Sequence, residues 1–256
     1  MDTMTETPAA KLRRSLPHRL RAAGIHVSIS AAIFAVALYL ILVHWYPGFH
    51  FAVDGGWQGV RIMAAVDLVL GPCLTLIVFN PFKARRLIAF DLACIGLAQF
   101  AALVWGFYAV YGQRPVALNF YDGVVYSMPA HTLRSAPDTG AALERVAPGN
   151  PKLVYVAMPS SHEEWQRVKQ HAGHSLLHED AYFFRPFAEH WQDMQYFALD
   201  IEHSKDPLVA RDLPAFLSRY GRVQDFRFFR YQGGYGNCVI AFTAAGQPVD
   251  TLGCVA

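Results

Sequence analysis

The sequence is poor in charged residues and has almost no excess of either sign. Of its 256 residues, 16% are charged, against about 25% in a typical soluble domain. The net charge of +2 gives no reason to expect nucleic acid as a partner. The sequence also lacks the G-x-S-x-G, P-loop and G-x-G-x-x-G motifs. We therefore expect no nucleic acid as a partner, and the sequence offers no motif for a bound cofactor.

The apolar residues are concentrated in three long runs. Residues 25–46 contain no Asp, Glu, Lys or Arg, residues 62–79 contain only Asp67, and residues 87–111 contain only Asp91. A hydrocarbon core of about 30 Å needs about 20 helical residues. The runs therefore predict an α-helical membrane bundle of three transmembrane helices, which occupies residues 25–111.

Basic residues indicate how this bundle is oriented. Five precede the first run and three lie between the second and third runs: Lys11, Arg13, Arg14, Arg19, Arg21, Lys83, Arg85 and Arg86. Because Lys and Arg accumulate on the cytoplasmic side, residues 1–24 are predicted to be a cytoplasmic basic N-terminus. Residues 112–256 would then form a periplasmic domain. A cleaved signal peptide is the alternative for the first run, but the run is too long and no A-x-A site follows it.

The second and third runs contain polar residues at helical spacing. Asp67, Gly71 and Thr75 form one stripe, and Asp91 and Gln99 lie on another. In an antiparallel hairpin we expect Asp67 to lie beside Gln99 and Thr75 beside Asp91, which leaves no polar group unpaired in lipid. Three roles remain open for these residues: a structural lock, a binding site for a partner helix, or a path for ions.

Residues 112–256 mix strand and helix patterns, which predicts an α+β domain ending in an antiparallel β-meander. Asp122-Gly123 between two strand-like segments is typical of a two-residue hairpin. The last two predicted strands are 237–243 and 249–255. If Thr243 faces Val249, Cys238 lies directly opposite Cys254, and an oxidising compartment would favour a disulfide. The alternative is two unrelated small core residues.

A histidine cluster is the one candidate metal site. A helix that starts at Ser161 and runs toward Leu177 would bring His171, His174 and His178 near one face, a spacing that suits zinc. Gly173 weakens this interpretation, and the cluster has no H-E-x-x-H pattern. The simpler interpretation is that these histidines lie on an exposed polar helix face. The two alternative functions are a membrane-anchored metal-dependent enzyme and a membrane sensor or transport subunit that uses Asp67.

Several segments resemble the TfpX/TfpZ-type type IV pilin accessory proteins. They are Arg19-Leu-Arg-Ala-Ala-Gly-Ile-His26, Trp45-Tyr-Pro47, Asp67-Leu-Val-Leu-Gly-Pro-Cys-Leu-Thr75, Asn80-Pro81, Asp91-Leu-Ala and Tyr111-Gly-Gln-Arg-Pro115. The resemblance covers roughly residues 16–130. It implies an accessory or chaperone-like protein of the bacterial inner membrane that affects pilus assembly or retraction, is not an enzyme and needs no cofactor. Its implied partners are a type IV major pilin, membrane lipid and components of the pilus assembly machinery.

Overall fold

The computed structural model describes residues 8–135, 137–171 and 176–255, which form two compact units. The first unit, here the helical unit, contains the residues up to Ile41 together with Trp57–Val110. The second, here the sheet unit, combines Leu42–Gly56 with the residues from Tyr111 onward. The chain therefore passes from one unit to the other three times, and a short loop near its start belongs to the unit built from its end.

Three helices are long and apolar enough to cross a membrane: Arg13–Trp45, Gly56–Val78 and Arg85–Gln113. Their parts, with one short helix between the first two, are α1 (Pro8–Leu40) continued by a π-helical turn (Ile41–Trp45), α2 (His50–Val53), α3 (Gly56–Ala64), a second π-helical turn (Ala65–Leu70), α4 (Gly71–Val78) and α5 (Arg85–Gln113). The three predicted runs are thus confirmed as helices. The first and third helices begin before their apolar runs at residues rich in Lys and Arg, which are good helix formers with long side chains.

The second apolar helix is irregular in its middle. Pro72 is near the start of α4 and has no N–H to donate to the carbonyl of Leu68. The π-helical turn Ala65–Leu70 immediately before it absorbs this break, so that the helix continues through the proline. Asp67 lies within that turn and is buried.

Packing within the helical unit differs from the predicted hairpin. α4 packs most extensively against α1, not against α5. The third apolar helix approaches the second closely at glycines, where Gly59 lies against Val110 and Gly106 lies 3.4 Å from the Cγ of Met63, measured from an ideal Cβ position. Because glycine lets two helix backbones come together, these positions bring α5 beside α3.

The sheet unit contains a mixed sheet of seven strands in the order β4-β3-β1-β2-β5-β6-β7. The strands are β1 (Pro115–Tyr121), β2 (Val124–Pro129), β3 (Lys152–Val156), β4 (Phe184–Pro186), β5 (Phe226–Gln232), β6 (Asn237–Thr243) and β7 (Pro248–Val255). β1 and β3 are parallel, as are β2 and β5, and the other neighbours are antiparallel. The predicted α+β class and the final meander of β5, β6 and β7 agree with this sheet.

The hairpin between β1 and β2 has the predicted turn. Asp122 has φ of 47° and Gly123 has φ of 77°. Two consecutive residues with positive φ are the geometry of the type I′ turn, whose twist matches that of the strands it joins. The ring of Phe197 lies against Gly123, where a Cβ would come within 2.9 Å of it.

Helices cover the sheet on both faces. They are α6 (Thr132–Ser135), α7 (Pro137–Val146), α8 (His162–His171), α9 (Trp191–Met194) and α10 (Pro207–Tyr220). Alternate strand residues point to opposite faces, so Phe228 packs with α10 while Phe229 packs with Trp191. Val53, from the loop between the first two apolar helices, is completely buried in the same cluster as Phe229.

A disulfide joins Cys238 to Cys254, the pair that the strand register predicts. The predicted facing of Thr243 and Val249 is wrong, because Phe242 instead pairs with Pro248. Two irregularities in the pairing of β6 with β7 change the register between the turn and the cysteines. They restore the expected alignment at Asn237, which pairs with Val255 next to the bridge.

We expect the double substitution of Cys238 and Cys254 by Ala to destabilise the sheet unit. The bridge closes a loop with a sequence separation of 16 residues, for which the chain-entropy account gives about 3 kcal/mol. Thermal unfolding of the full chain in detergent should show a lower midpoint. The control is the double substitution of Cys73 and Cys94, which are free and exposed within the apolar helices. Equal midpoints for the two double variants would contradict this prediction.

Candidate functional site

Polar side chains are gathered at two places, one in each unit. The first, here the bundle cluster, consists of Arg19, His26, Asp67, Thr75 and Gln99 in the helical unit. The second, here the Asp54 network, lies in the sheet unit and consists of His50, Asp54, Tyr231 and Gly234. Each is built from elements of its own unit.

The bundle cluster is held together mainly by contacts from α1. The Nδ1 atom of His26 lies 2.6 Å from the Oγ1 of Thr75. The guanidinium of Arg19 donates to the carbonyl oxygens of Leu76 and Ile77, at 3.3 and 3.1 Å. These carbonyls belong to the last turn of α4, where no N–H group of the helix is available to donate to them. Arg19 therefore caps the second apolar helix from the first.

One of the two predicted polar pairs does not form. Thr75 bonds with His26, whereas the carboxylate of Asp91 accepts from the Nζ of Lys83 at 2.6 Å. The predicted pairing of Thr75 with Asp91 is therefore wrong, because each residue has another partner: His26 of α1 for Thr75 and the loop residue Lys83 for Asp91. Gln99 lies against Gly71 so closely that any side chain at Gly71 would overlap it.

Asp67 lies in the cluster without a bonding partner among the residues that the structure describes. Its side chain lines a cavity of about 650 Å³ together with Gln99, Thr75 and His26. Only 6% of Asp67 is exposed. The predicted polar residues Asp67, Thr75 and Gln99 are thus brought to one cavity, whereas Asp91 lies outside its lining.

The Asp54 network is centred on one buried carboxylate. Its Oδ2 atom lies 2.5 Å from the Nδ1 of His50 and accepts a hydrogen bond of 2.8 Å from the hydroxyl of Tyr231. Its Oδ1 atom accepts from the backbone N–H of Gly234 at 3.1 Å. Asp54 is 2% exposed, so these three partners replace water around the charge.

A glycine-rich turn makes this network possible. The N–H of Tyr235 donates to the carbonyl of Val53 at 2.9 Å, beside the bond from Gly234 to Asp54. At Gly233 a Cβ atom would lie 2.6 Å from the carbonyl oxygen of Val53, which is too close for any other residue. The predicted hairpin turn between β5 and β6 is therefore also hydrogen-bonded to the loop that joins the first two apolar helices.

Tyr231 acts as a hydrogen-bond donor in this network. Burial, followed by the negative charge of Asp54, raises the pKa of Tyr231 well above its ordinary value. The hydroxyl therefore keeps its proton over the whole physiological pH range and can donate a hydrogen bond to the carboxylate. Sequence reasoning missed this network, although two signals were present: Asp54 is the one acidic residue between the first two apolar runs, and three glycines are clustered at Gly233–Gly236.

The histidine cluster is only partly within the described residues. His174 and the side chain of His171 lie outside them. His178 is not on α8, which is described to His171, but in a separate 3-10 turn at Leu177–Glu179. Its ring stacks on Tyr126 with centroids 4.0 Å apart, and burial lowers the pKa of His178 to about 4. Within the described ranges, no group of three His, Cys, Asp or Glu side chains could hold a metal ion.

Taken together, the two units define a class: a chain with three helices apolar enough to cross a membrane and a disulfide-bearing mixed-sheet unit. The chain is 33% identical over 97 residues to the fimbrial assembly protein of serogroups C1 and C2 of Dichelobacter nodosus, a match that covers 38% of this chain and 74% of that relative. The chain therefore belongs to the family of these fimbrial assembly proteins.

Two longer relatives from the same organism match less completely. The fimbrial assembly protein of serogroup I is 33% identical over 97 residues, and that of serogroup E1 is 32% identical over 97 residues. Each match covers 38% of this chain and 38% of the relative. No family model matches the chain, and no solved structure does.

We expect Tyr231→Phe to lower the stability of the sheet unit by about 2 kcal/mol, because a buried carboxylate would lose one of its hydrogen bonds. The matched control is Tyr196→Phe, since Tyr196 is 89% exposed. The midpoint of thermal unfolding in detergent should fall for the first variant and stay unchanged for the second. A Tyr231→Phe midpoint equal to that of Tyr196→Phe would show that the hydroxyl adds nothing to the network.

Proposed function

We propose that this protein is an inner-membrane accessory protein for a type IV major pilin, of the TfpX/TfpZ type. In this proposal it is chaperone-like and has no enzymatic activity. It binds the pilin before or during polymerisation and thereby promotes or modulates pilus assembly or retraction. The observation that carries the proposal is membership of the fimbrial assembly protein family by a chain that combines apolar helices with a folded sheet unit.

The composition of the sheet unit supports the proposed topology. The loop Leu42–Gly56 and the residues from Tyr111 onward form one compact unit. Buried contacts join them, since Tyr231 donates to Asp54 and Val53 is buried beside Phe229. Both segments must therefore lie on the same side of a membrane, as they do when all three apolar helices cross it.

Aromatic side chains at the ends of the helices are consistent with the same arrangement. The rings of Trp45 and Tyr111 meet edge to face with centroids 5.1 Å apart, and the guanidinium of Arg114 lies 3.6 Å from the centroid of Tyr111. Trp and Tyr are enriched at membrane–water interfaces. The end of the first apolar helix and the end of the third would thus lie at one interface. With the basic residues on the cytoplasmic side, that interface is the periplasmic one.

The helical unit has the uncovered surface that a membrane partner requires. In the most apolar stretch of each helix, 17% of the first, 33% of the second and 6% of the third is buried within the protein. Lipid covers such surfaces by default, and other helices can replace the lipid through close packing and hydrogen bonds. A single-pass pilin with an exported head could contact both units, its membrane helix at the bundle and its head at the sheet unit.

The orientation can be tested with reporter fusions. Alkaline phosphatase fused after Ala256 should be active, since the enzyme needs the oxidising periplasm for its disulfides. The same reporter fused after Lys83, in the loop between the second and third apolar helices, should be inactive. Activity of the second fusion with inactivity of the first would place the sheet unit in the cytoplasm and would overturn the proposal.

Pilin binding can be tested by co-purification. The tagged full-length protein, extracted in mild detergent from cells that make the major pilin, should retain pilin well above the amount retained by an unrelated tagged three-span protein. Deletion of the gene should change the number of surface pili, while the pilin transcript stays constant. Pilin recovery at the control level, together with normal piliation, would refute the proposed function.

A further inference from the structure

The cavity in the helical unit contains a buried acid that has no hydrogen-bond partner among the described residues. Asp67 is 6% exposed and lines the cavity. It makes no hydrogen bond or ion pair with the described residues. Its electrostatic neighbour is His26, whose ring is engaged with Thr75, and Arg19 is engaged with backbone carbonyls. An ionisable side chain at membrane depth is costly unless it meets a partner or faces water.

We infer that this cavity receives one transmembrane helix of the partner, and that the helix brings a hydrogen-bond donor or a cationic group to Asp67. The inference rests on the proposed function and names the place where the pilin's membrane helix would bind. Its chemical requirement is complementarity: a carboxyl without a hydrogen-bond partner among the described residues of this protein, matched by an N–H, O–H or ammonium group on the other protein.

The shape of the cavity suits an elongated apolar occupant. Along α1 its lining extends from His18 to Ile33, which is about 22 Å at 1.5 Å per residue. Its walls carry aliphatic and aromatic side chains from two helices, among them Ile25, Ile29, Phe100 and Leu103. A groove of this length can accommodate four turns of a helix that lies beside α1 and α5.

Small residues in the wall favour a helix in particular. Gly96 of α5 lines the cavity, and an ideal Cβ placed there would meet no atom within 4 Å. Ala22 and Ser30 of α1 also belong to the lining. Small side chains let a second backbone approach closely, and polar groups such as Ser and Gln bond across helices. This is the chemistry of a helix-packing surface.

The depth of Asp67 argues against a lipid as the specific occupant. Asp67 is 12 positions before Phe79, near the basic end of the second apolar helix, which corresponds to about 18 Å of helix. Lipid acyl chains offer no hydrogen-bond donor at this depth, and headgroups stay near the surface. A helix can present a polar side chain at any level of the bilayer, so it can meet Asp67 where a lipid cannot.

Site-specific photo-crosslinking in cells that make the pilin tests the inference. A photoreactive residue replaces Leu103, which lines the cavity. The matched control replaces Ala101, which is exposed and lies about 160° away around α5. We expect a pilin adduct from position 103 at about ten times the yield of position 101, identified by antibody and by mass.

Substitution of the acid provides the second measurement. Asp67→Leu should lower both the position-103 adduct and the co-purified pilin about tenfold, which is the scale of one interhelical hydrogen bond. Asp67→Asn, which keeps the shape and one acceptor, should lower them less. Asp91→Leu removes an acid that lies outside the cavity lining and should leave both unchanged. Asp67→Asn remains informative if Asp67→Leu does not accumulate.

The outcomes separate the inference from the function on which it rests. If the wild-type protein retains pilin while position 103 yields only lipid adducts, or pilin adducts equal to those of position 101, the cavity inference is wrong and the proposed function stands. Unchanged pilin recovery with both Asp67 variants would overturn the role of the acid. If the wild-type protein retains no pilin, the proposed function and the inference both fail.

Discussion

The buried carboxylate of Asp54 is the interaction on which the arrangement of the chain depends. It joins a loop near the start of the sequence to a turn between two late strands, through bonds from Tyr231 and Gly234. A charge buried this deeply is tolerated because both carboxylate oxygens have hydrogen-bond partners. The loop thereby becomes part of the sheet unit, and the first two apolar helices are connected through a folded domain instead of a free linker.

In the helical unit, the buried polar groups have hydrogen-bond partners less completely. Arg19 and His26 of α1 occupy the polar groups at the end of α4, where helix carbonyls and Thr75 need partners. The π-helical turn around Asp67 allows Pro72 within an apolar helix. Asp67 itself is left facing a cavity. A buried acid that makes no hydrogen bond with the described residues and lines an uncovered groove suits this unit to bind a further helix.

These features bear on how the protein could act on pilins. A membrane bundle with an open groove can engage an apolar helix, and a disulfide-bearing sheet unit can engage a folded head. Neither task needs a nucleophile, a metal or a cofactor. The proposed role therefore uses packing and hydrogen bonding, in lipid for the helical unit and in water for the sheet unit. It follows from the combination of the two units and not from either one alone.

The sequence by itself determined the elements whose signals are local. Three apolar runs predicted the three helices, Asp122-Gly123 predicted its turn, and strand patterns with a cysteine at matching positions predicted the bridge between Cys238 and Cys254. Periodicity and turn chemistry act over a few residues, so they can be read without a structure. Tertiary structure alone decided which elements meet. It paired Thr75 with His26 instead of Asp91, and it brought Asp54 to Tyr231 across 177 positions. Such contacts depend on how whole helices and sheets pack, and a polar side chain carries no local mark of the distant partner that will neutralise it.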